Sequence, residues 1–437
     1  MIATVASTTP TCPDGTRARA EPTAKMEGMT RTRTPRPWLM LVVSGGAQAA
    51  TALLISTPAY LIPLLHSEGG LTLAGAGLLA TAPNVGVLLT LILWGAATDR
   101  WGERVVLVSG LVVAVLGSLA AIASDGHLAL GLAFVLCGIG GAATSATSGR
   151  IVVGWFPAER RGLAMGLRQT ALPLGTGAGA ILVPALTARG DVAPALAVAS
   201  GIVVVAAVAC AVFVVNPPRP DAPTDAEGRP VNPYRGDATL LRIHLVSALL
   251  VVPQYALAVF GLVWLIADQG WDPIAAGIVV ALSQLLGAGG RVAVGMLSDR
   301  LGRRLAPIRW IALAVIPLLL LTAAAGALHW APAVAAAYVL ASCLSVADNG
   351  LAFTAVAEIA GARWSGRALG AQNTGQFIAA AIVAPAVGLL IGVAGYSAAF
   401  ALLALAPAAA IPLLPRDPGQ ATRSSTIRTR SPSGVST

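Results

Sequence analysis

The sequence predicts an all-α integral membrane protein whose twelve transmembrane helices form two pseudo-symmetric six-helix bundles. Three observations carry that reading. The 437 residues are 56% apolar and only 11% charged, with a mean hydropathy of +0.78, whereas a water-soluble domain carries about 25% charge. Setting aside the polar stretches 1–37, 216–241 and 415–437 leaves about 350 residues, roughly 29 for each of twelve helix-plus-loop units. Finally, short texts recur about 200 residues apart along the chain.

The spans follow in order. The first six are Trp38–Leu65, Leu73–Ala97, Val105–Ala123, Leu128–Trp155, Leu163–Leu186 and Ala193–Val215. The second six are Arg242–Ala267, Ile274–Leu297, Ala306–Leu328, Ala331–Ala357, Ala368–Val393 and Tyr396–Leu414. Each is long enough to cross a hydrocarbon core of about 30 Å at 1.5 Å per residue. Their amphipathicity is weak, as expected where lipid covers the outside, and recurrent Gly and Ala permit close backbone contact between helices. The organisation reads as a disordered N-terminal tail (1–37), a first bundle (38–215), a central loop (216–241), a second bundle (242–414) and a disordered C-terminal tail (415–437).

Orientation follows from the basic residues. Of 28 Lys and Arg, all but Arg150, Arg168, Arg189 and Arg291 lie in or within a turn of the tails, the central loop and the even-to-odd connections. The opposite side offers Arg189 against Glu68, Asp125, Asp191, Asp268 and Asp272. Both termini and the central loop are therefore expected in the cytoplasm, in a multi-pass protein of the cell membrane. This placement explains the net charge of +9 without nucleic acid. Three of the four cysteines (Cys137, Cys210, Cys343) sit in apolar runs, Cys12 lies in the first tail, and no CxxC pair or metal-ligand spacing occurs. No metal, no cofactor and no nucleophile–base constellation is expected, and so no enzyme.

At an offset of 200, Ala76-Gly77 matches Ala276-Gly277, Asn84 faces Gln284, and Gly95, Asp99, Arg100, Gly102 and Arg104 match Gly295, Asp299, Arg300, Gly302 and Arg304. At 204, Gly162 matches Gly366, Gly166 matches Gly370, Arg168 meets Gln372, and Gln169-Thr170 meets Asn373-Thr374. Parallel repeats of this kind imply a pseudo-twofold axis along the membrane normal, with a cavity between the halves.

From Trp38 to about Leu414 the chain resembles the major facilitator superfamily. The motif Gly-x-x-x-Asp-Arg-x-Gly-x-Arg stands at 95–104 between the second and third spans and again at 295–304 between the eighth and ninth. Trp155-Phe156-Pro157-Ala158-Glu159-Arg160-Arg161-Gly162 is further family-like text. The resemblance implies that Asp99 accepts hydrogen bonds at the start of the eleventh span, near Ala368, and that Asp299 does so at the start of the fifth. Arg104 and Arg304 are expected to pair with acids such as Glu159 or Glu358. Together with Arg150, Arg161, Arg291 and Arg367, these residues form a candidate cytoplasmic latch that stabilises an outward-open state and breaks for inward opening.

Charges within spans are costly and are functional candidates by default. Arg150 and Arg291 lie near the cytoplasmic ends of the fourth and eighth spans, where a structural or latch role is expected. Arg168 is one to two turns inside the fifth span, placed to bind an anionic solute or to neutralise a carboxylate of the opposite bundle. Asp348 is the only acid deep in any span. The resemblance implies that spans one, four, seven and ten line the cavity, which makes Asp348, followed by Asn349, a candidate for proton coupling or for pairing with a buried Arg. Gln48, Asn84, Gln169, Gln254, Tyr255, Gln284, Gln372 and Asn373 complete the candidate cavity. Trp264, at a helix end, reads as an interfacial anchor or a stacking surface.

The function expected is a secondary transporter of a small organic solute by alternating access. Three intramembrane arginines against one aspartate lean towards an anion or zwitterion, and protons are an optional coupling ion. Export of an amphipathic drug or metabolite, and a non-transporting sensor with the same fold, remain as alternatives. The partners expected are the lipid bilayer and the solute, with the chain acting as a monomer.

Overall fold

The spans are helical because their sequence offers little besides good helix formers and apolar surface; proline stands in several first turns and inside some helices, buried at Pro58, Pro83 and Pro253 and exposed at Pro184, Pro317 and Pro385. The computed structural model describes residues 36–62, 64, 73–187, 191–218, 232–235, 237–361 and 363–415. Glu68, Arg189, most of the central loop and nearly all of both tails lie outside the described residues.

Helix α1 (Pro37–Tyr60) begins with a proline at its first turn. It is followed by α2 (Leu73–Trp101), α3 (Glu103–Ile122) and α4 (His127–Trp155). A 3-10 turn (Ala158–Arg160) leads into α5 (Arg161–Gln169), α6 (Ala171–Leu186) and α7 (Ala193–Phe213). In the second half α8 (Thr239–Val263) runs into a π turn (Trp264–Asp268), and α9 (Pro273–Leu301) is capped by Asp272, whose side chain accepts from the N–H groups of Ile274 and Ala275. There follow α10 (Leu305–Ala327), α11 (Ala331–Ser345), α12 (Asn349–Ala360), α13 (Ser365–Leu403) and α14 (Leu405–Leu413).

Eleven stretches among the described residues are long and apolar enough to cross a membrane. The last, Ser365–Leu413, has 49 residues, which at 1.5 Å per residue would run to about 74 Å, more than twice a hydrocarbon core. Gly395, at φ 79° and ψ 170°, breaks it into two, and the total is twelve. The short connections after α2 and α9 turn on Gly102 (φ 90°) and Gly302 (φ 59°), a backbone region that side chains with a Cβ avoid.

Two expected spans are discontinuous. The fifth is α5 plus α6. Pro173 has no N–H to give the carbonyl of Gln169 four residues back, and the helix breaks at Thr170. The tenth is α11 plus α12, separated by Val346-Ala347-Asp348, where Asp, Asn and Gly follow one another in a poor helix-forming run.

The first half packs around Leu54, Leu107, Leu111 and Phe134, and the second around Trp264, Tyr338, Leu319 and Phe400. A third apolar cluster joins the halves, with Val152 and Met165 meeting Phe353 and Leu369. Between halves, α2 packs on α13, α9 on α5, and α12 on both α4 and α5.

Candidate functional site

The two motif loops stand at the same end of the molecule, and each sends its aspartate into the other half. Asp99 accepts from the backbone N–H groups of Gly366 (2.9 Å) and Arg367 (3.0 Å) at the start of α13. Asp299 accepts from those of Gly162 and Leu163, both at 2.8 Å, at the start of α5. A carboxylate at a helix N-terminus satisfies unpaired N–H groups and meets the positive end of the helix dipole.

The cations around these aspartates do not follow the pseudo-symmetry. Arg150, reaching down from α4, pairs with Asp99 and with Glu103, each at 2.5 Å, and all three side chains are under 5% exposed. In the second half Arg304 of the motif itself pairs with Asp299 at 2.6 Å and with Glu358 of α12 at 3.4 Å. Arg161 of α5 reaches the same Glu358 across the interface at 3.2 Å. Burial alone would weaken the Arg304 cation, but Asp299 and Glu358 more than offset it, and its pKa lies above the ordinary arginine value. Arg367 stacks its guanidinium 4.8 Å from the Trp364 ring and lies 3.8 Å from Asp99.

Glycines set how closely the halves approach here. A Cβ on Gly95 would stand 2.3 Å from the carbonyl oxygen of Gly366, and one on Gly366 2.3 Å from that of Gly95. Gly162 and Gly295 repeat the arrangement at 2.3 and 2.2 Å. Only hydrogen fits in these spaces.

Further from the motif end, a cavity of about 270 Å³ lies between the halves. Gln48, Thr51, Asn84 and Ser145 line it from the first half, Tyr255 and Phe377 from the second. Beneath it Arg168 is 2% exposed and donates to the Ser148 hydroxyl (2.8 Å), the Ser145 carbonyl (2.9 Å) and the Gln169 side-chain oxygen (2.6 Å). Ser148 passes a hydrogen bond to Gln48 at 3.3 Å. The guanidinium also lies 5.3 Å from the Phe353 ring of the opposite half. No carboxylate pairs with it among the described residues, so its positive charge is held by neutral groups alone. Gln169, Gln254 and Asn349, expected in the cavity, are not in its wall; in the second half Asn349 donates to Gln254 (3.0 Å) and accepts from Gln376 (3.2 Å), which also donates to Ser247 (2.7 Å).

Arg291 connects the two helix breaks. From α9 it donates to the carbonyl of Gln169, freed by Pro173, and to that of Val346 at the break before α12, each at 3.3 Å. One cation thus replaces the missing helical donors of two spans in opposite halves. Asp348, at the second break, is 2% exposed and within electrostatic range of Arg291. Its Oδ2 has no hydrogen-bond partner among the described residues.

Several expected roles are corrected by these positions. Arg104 does not meet Glu159 or Glu358; its guanidinium donates to the Ala211 carbonyl near the end of α7, and its N–H to Asn216 at 2.9 Å. A helix-end carbonyl of α7 thus takes the place expected of an acid. Glu159 is exposed and makes no ion pair among the described residues, and Arg100 and Arg300 are exposed in the last turns of α2 and α9, where a cation favours the helix dipole. Gln372 bonds to His244 and Asn373 to the Leu369 carbonyl one turn back at 2.9 Å, so neither lines the described cavity. Gln284 is exposed on α9 and, unlike Asn84, is not in the cavity wall. Trp264 is buried, its ring edge-on to Phe400 at 4.8 Å and its N–H bonded to Asp268 at 3.1 Å. It is a packing residue, neither anchor nor stacking surface.

Sequence reasoning missed Glu103, whose position after Gly102 looks like a solvated loop acid. It also missed the chain Tyr234–His244–Gln372, in which Tyr234 of the central loop meets His244 at 3.0 Å.

Comparison with known proteins agrees with this architecture. The profile of the Major Facilitator Superfamily matches residues 44–384. An uncharacterized MFS-type transporter of Mycobacterium tuberculosis (strain ATCC 25618 / H37Rv) is 43% identical over 381 residues, covering 86% of this chain and 84% of the relative. Among solved structures, the human organic anion transporter MFSD10 (TETRAN) superposes with a TM-score of 0.72 at 18% identity, over 87% of this chain and all of that one. The transporter FucP in its outward conformation gives 0.69 at 16% identity, over 86% and 98%. At those identities the likeness is one of fold. A family profile matched over most of the chain, a relative at 43% identity and a twelve-helix fold with two motif loops lead to one conclusion: this multi-pass membrane protein belongs to the major facilitator superfamily and is a transporter.

Proposed function

We propose that this transporter carries a small organic anion or zwitterion by alternating access between the two halves, residues 38–215 and 242–414. The observation that carries the reading is Arg168, a buried cation one hydrogen bond behind the cavity wall at Ser145 and joined to Gln48 of that wall through Ser148, with only neutral partners. A buried charge without a counter-ion is costly, and a carboxylate entering the cavity would supply one. Both motif loops, the central loop and both tails are cytoplasmic in this reading, which rests on the basic residues. The closed motif end, with its interlocked aspartates and paired glycines, then makes the structure outward-facing and the motif clusters its latch. Asp348 is the proton-coupling group, because its unpartnered oxygen is buried at the break in the tenth span, where Arg291 bonds the Val346 carbonyl two residues earlier.

The test is counterflow in proteoliposomes, with labelled monocarboxylates, dicarboxylates and amino acids set against neutral and cationic amphiphiles. Wild type exchanges one or more of the charged solutes, and the methyl ester of that solute does not compete. Losing a charge-assisted hydrogen bond, worth about 1.5–3 kcal/mol, means that Arg168→Gln raises the half-saturating concentration about 10- to 150-fold. Exchange confined to neutral or cationic amphiphiles overturns the anion reading and points to export of such compounds.

A further inference from the structure

The lipid-facing edge of the second half holds a basic recess apart from the cavity and the motif clusters. It lies at the motif end, has a volume of about 570 Å³, and is lined by Thr239 and Arg242 of α8, Arg309 of α10, and Pro412 and Leu414 at the end of α14. Arg242 donates through Nε to the Leu413 carbonyl (2.9 Å) and through Nη2 to that of Pro412 (3.3 Å); Arg309 donates through Nη2 to that of Leu414 (3.0 Å). These bonds close the last helix, and they also fix both guanidinium planes. Arg242 Nη1, Arg309 Nε and Arg309 Nη1 have no acceptor among the described residues, and neither arginine has a carboxylate partner there. The nearby acid, Asp237, is taken up by Thr239, whose N–H (3.0 Å) and hydroxyl (2.6 Å) it accepts.

The internal repeat does not carry the Arg309 charge in both halves. At the offset of 200 that aligns the motif loops, the first half has Ser109 where the second has Arg309, and Ser109 only bonds back to the Val106 carbonyl at 3.1 Å. The surroundings are apolar: Leu241 (55% exposed), Trp310 (49%) and Leu313 (50%) flank the two arginines. A Trp at a helix start, beside Arg, is the usual furniture of a membrane–water interface.

We infer that this recess binds the headgroup of an anionic phospholipid, with the phosphodiester between Arg242 and Arg309 and the acyl chains along Leu241, Trp310 and Leu313. Basic pockets between helices at a membrane surface take anionic headgroups in this way. A free phosphate shares the charge but has no use for the apolar flank, which is why a lipid is the occupant.

The experiment is native mass spectrometry of the purified full chain titrated with dioleoylphosphatidylglycerol, with dioleoylphosphatidylcholine, and with phosphatidylglycerol in competition with inorganic phosphate. The expected result is one tightly retained phosphatidylglycerol per chain, about 30-fold preferred over phosphatidylcholine for two interfacial charges, and weakened by a similar factor in R242Q/R309Q. The exposed arginine outside the recess serves as control, and Arg363→Gln keeps wild-type retention. Equal retention of the two lipids, or unchanged retention in the double variant, overturns the proposal. Displacement by inorganic phosphate at concentrations equal to the lipid's overturns the choice of a lipid. Should the double variant fail to fold, because its arginines also close α14, the wild-type lipid preference and the phosphate competition decide the question alone.

Discussion

Adding one methyl group at Gly95 should open the motif end. In Gly95→Ala the new Cβ would stand 2.3 Å from the Gly366 carbonyl oxygen and 2.7 Å from its carbon, while ordinary contact begins at about 3.4 Å, so α2 and α13 must part by about 1 Å. The obstruction is backbone, which cannot swing aside as a side chain would. The separation also stretches the bonds from Gly366 and Arg367 to Asp99. Overpacking of this size costs about 1–3 kcal/mol, a factor of about 5 to 150 in the equilibrium between the closed and open motif end. In the proposed alternating-access cycle the cost falls on one state only, since the glycines would separate when the halves rock apart. Spin labels at Asp125→Cys and Leu328→Cys, on exposed connections at the far end of each half and with native cysteines replaced, report the change by pulsed electron resonance. The distance between them shortens in the variant as the far end closes, and Gly295→Ala, facing Gly162 at the symmetric crossing, acts in the same direction. A folded Gly95→Ala protein with the wild-type distance distribution would refute the claim that this crossing controls the conformational equilibrium.

Three further outcomes are expected. Arg150→Ala strands Asp99 and Glu103 without their shared cation and lowers stability by about 3–5 kcal/mol, read as thermal unfolding in detergent; adding Glu103→Gln recovers part of the loss, and strictly additive effects would show the three are not a unit. Asp348→Asn cannot take up a proton, so uptake loses its dependence on external pH while expression and melting temperature hold; an unchanged pH profile rules out coupling through this residue. Trp264→Ala leaves a cavity against Phe400 and Tyr338 and costs about 3 kcal/mol, whereas Trp264→Phe retains most of the stability, and a melting temperature insensitive to the alanine substitution would return Trp264 to the membrane interface.

The spans, the internal repeat and the motif loops were readable in the sequence because each depends on a pattern: long apolar runs, a fixed offset, glycines and charges at set spacings. What escaped depends on neighbours distant in sequence. Pro173 was visible, but not that the carbonyl it frees would be met by Arg291, 118 residues further along a different half. Arg104 and Arg304 occupy equivalent places in the two motif copies, yet one finds helix-end carbonyls and the other two carboxylates, because Glu358 has no counterpart at the matching Gly154. Glu103 looked solvated until Arg150 was seen to descend on it. Trp264 at a helix end fits an interface by sequence, and only the packing of α13 and α11 around it makes it core. Gln372 and Asn373 aligned with Arg168 and Gln169, but alignment within a repeat does not decide which face of a helix meets the cavity.

The unequal charge clusters give the two sides of the pseudo-twofold axis different sensitivities. The trio Asp99, Arg150 and Glu103 is sealed, with side chains at most 4% exposed, while Arg161 and Glu358 stand about a quarter exposed. Dissolved ions screen charges they can reach, over about 8 Å at physiological strength. A rise in salt at the motif end would therefore weaken the Arg161–Glu358 pair that crosses the interface and leave untouched the trio, which braces the first half internally, so that a molecule built from near-duplicate halves would feel the change at one contact.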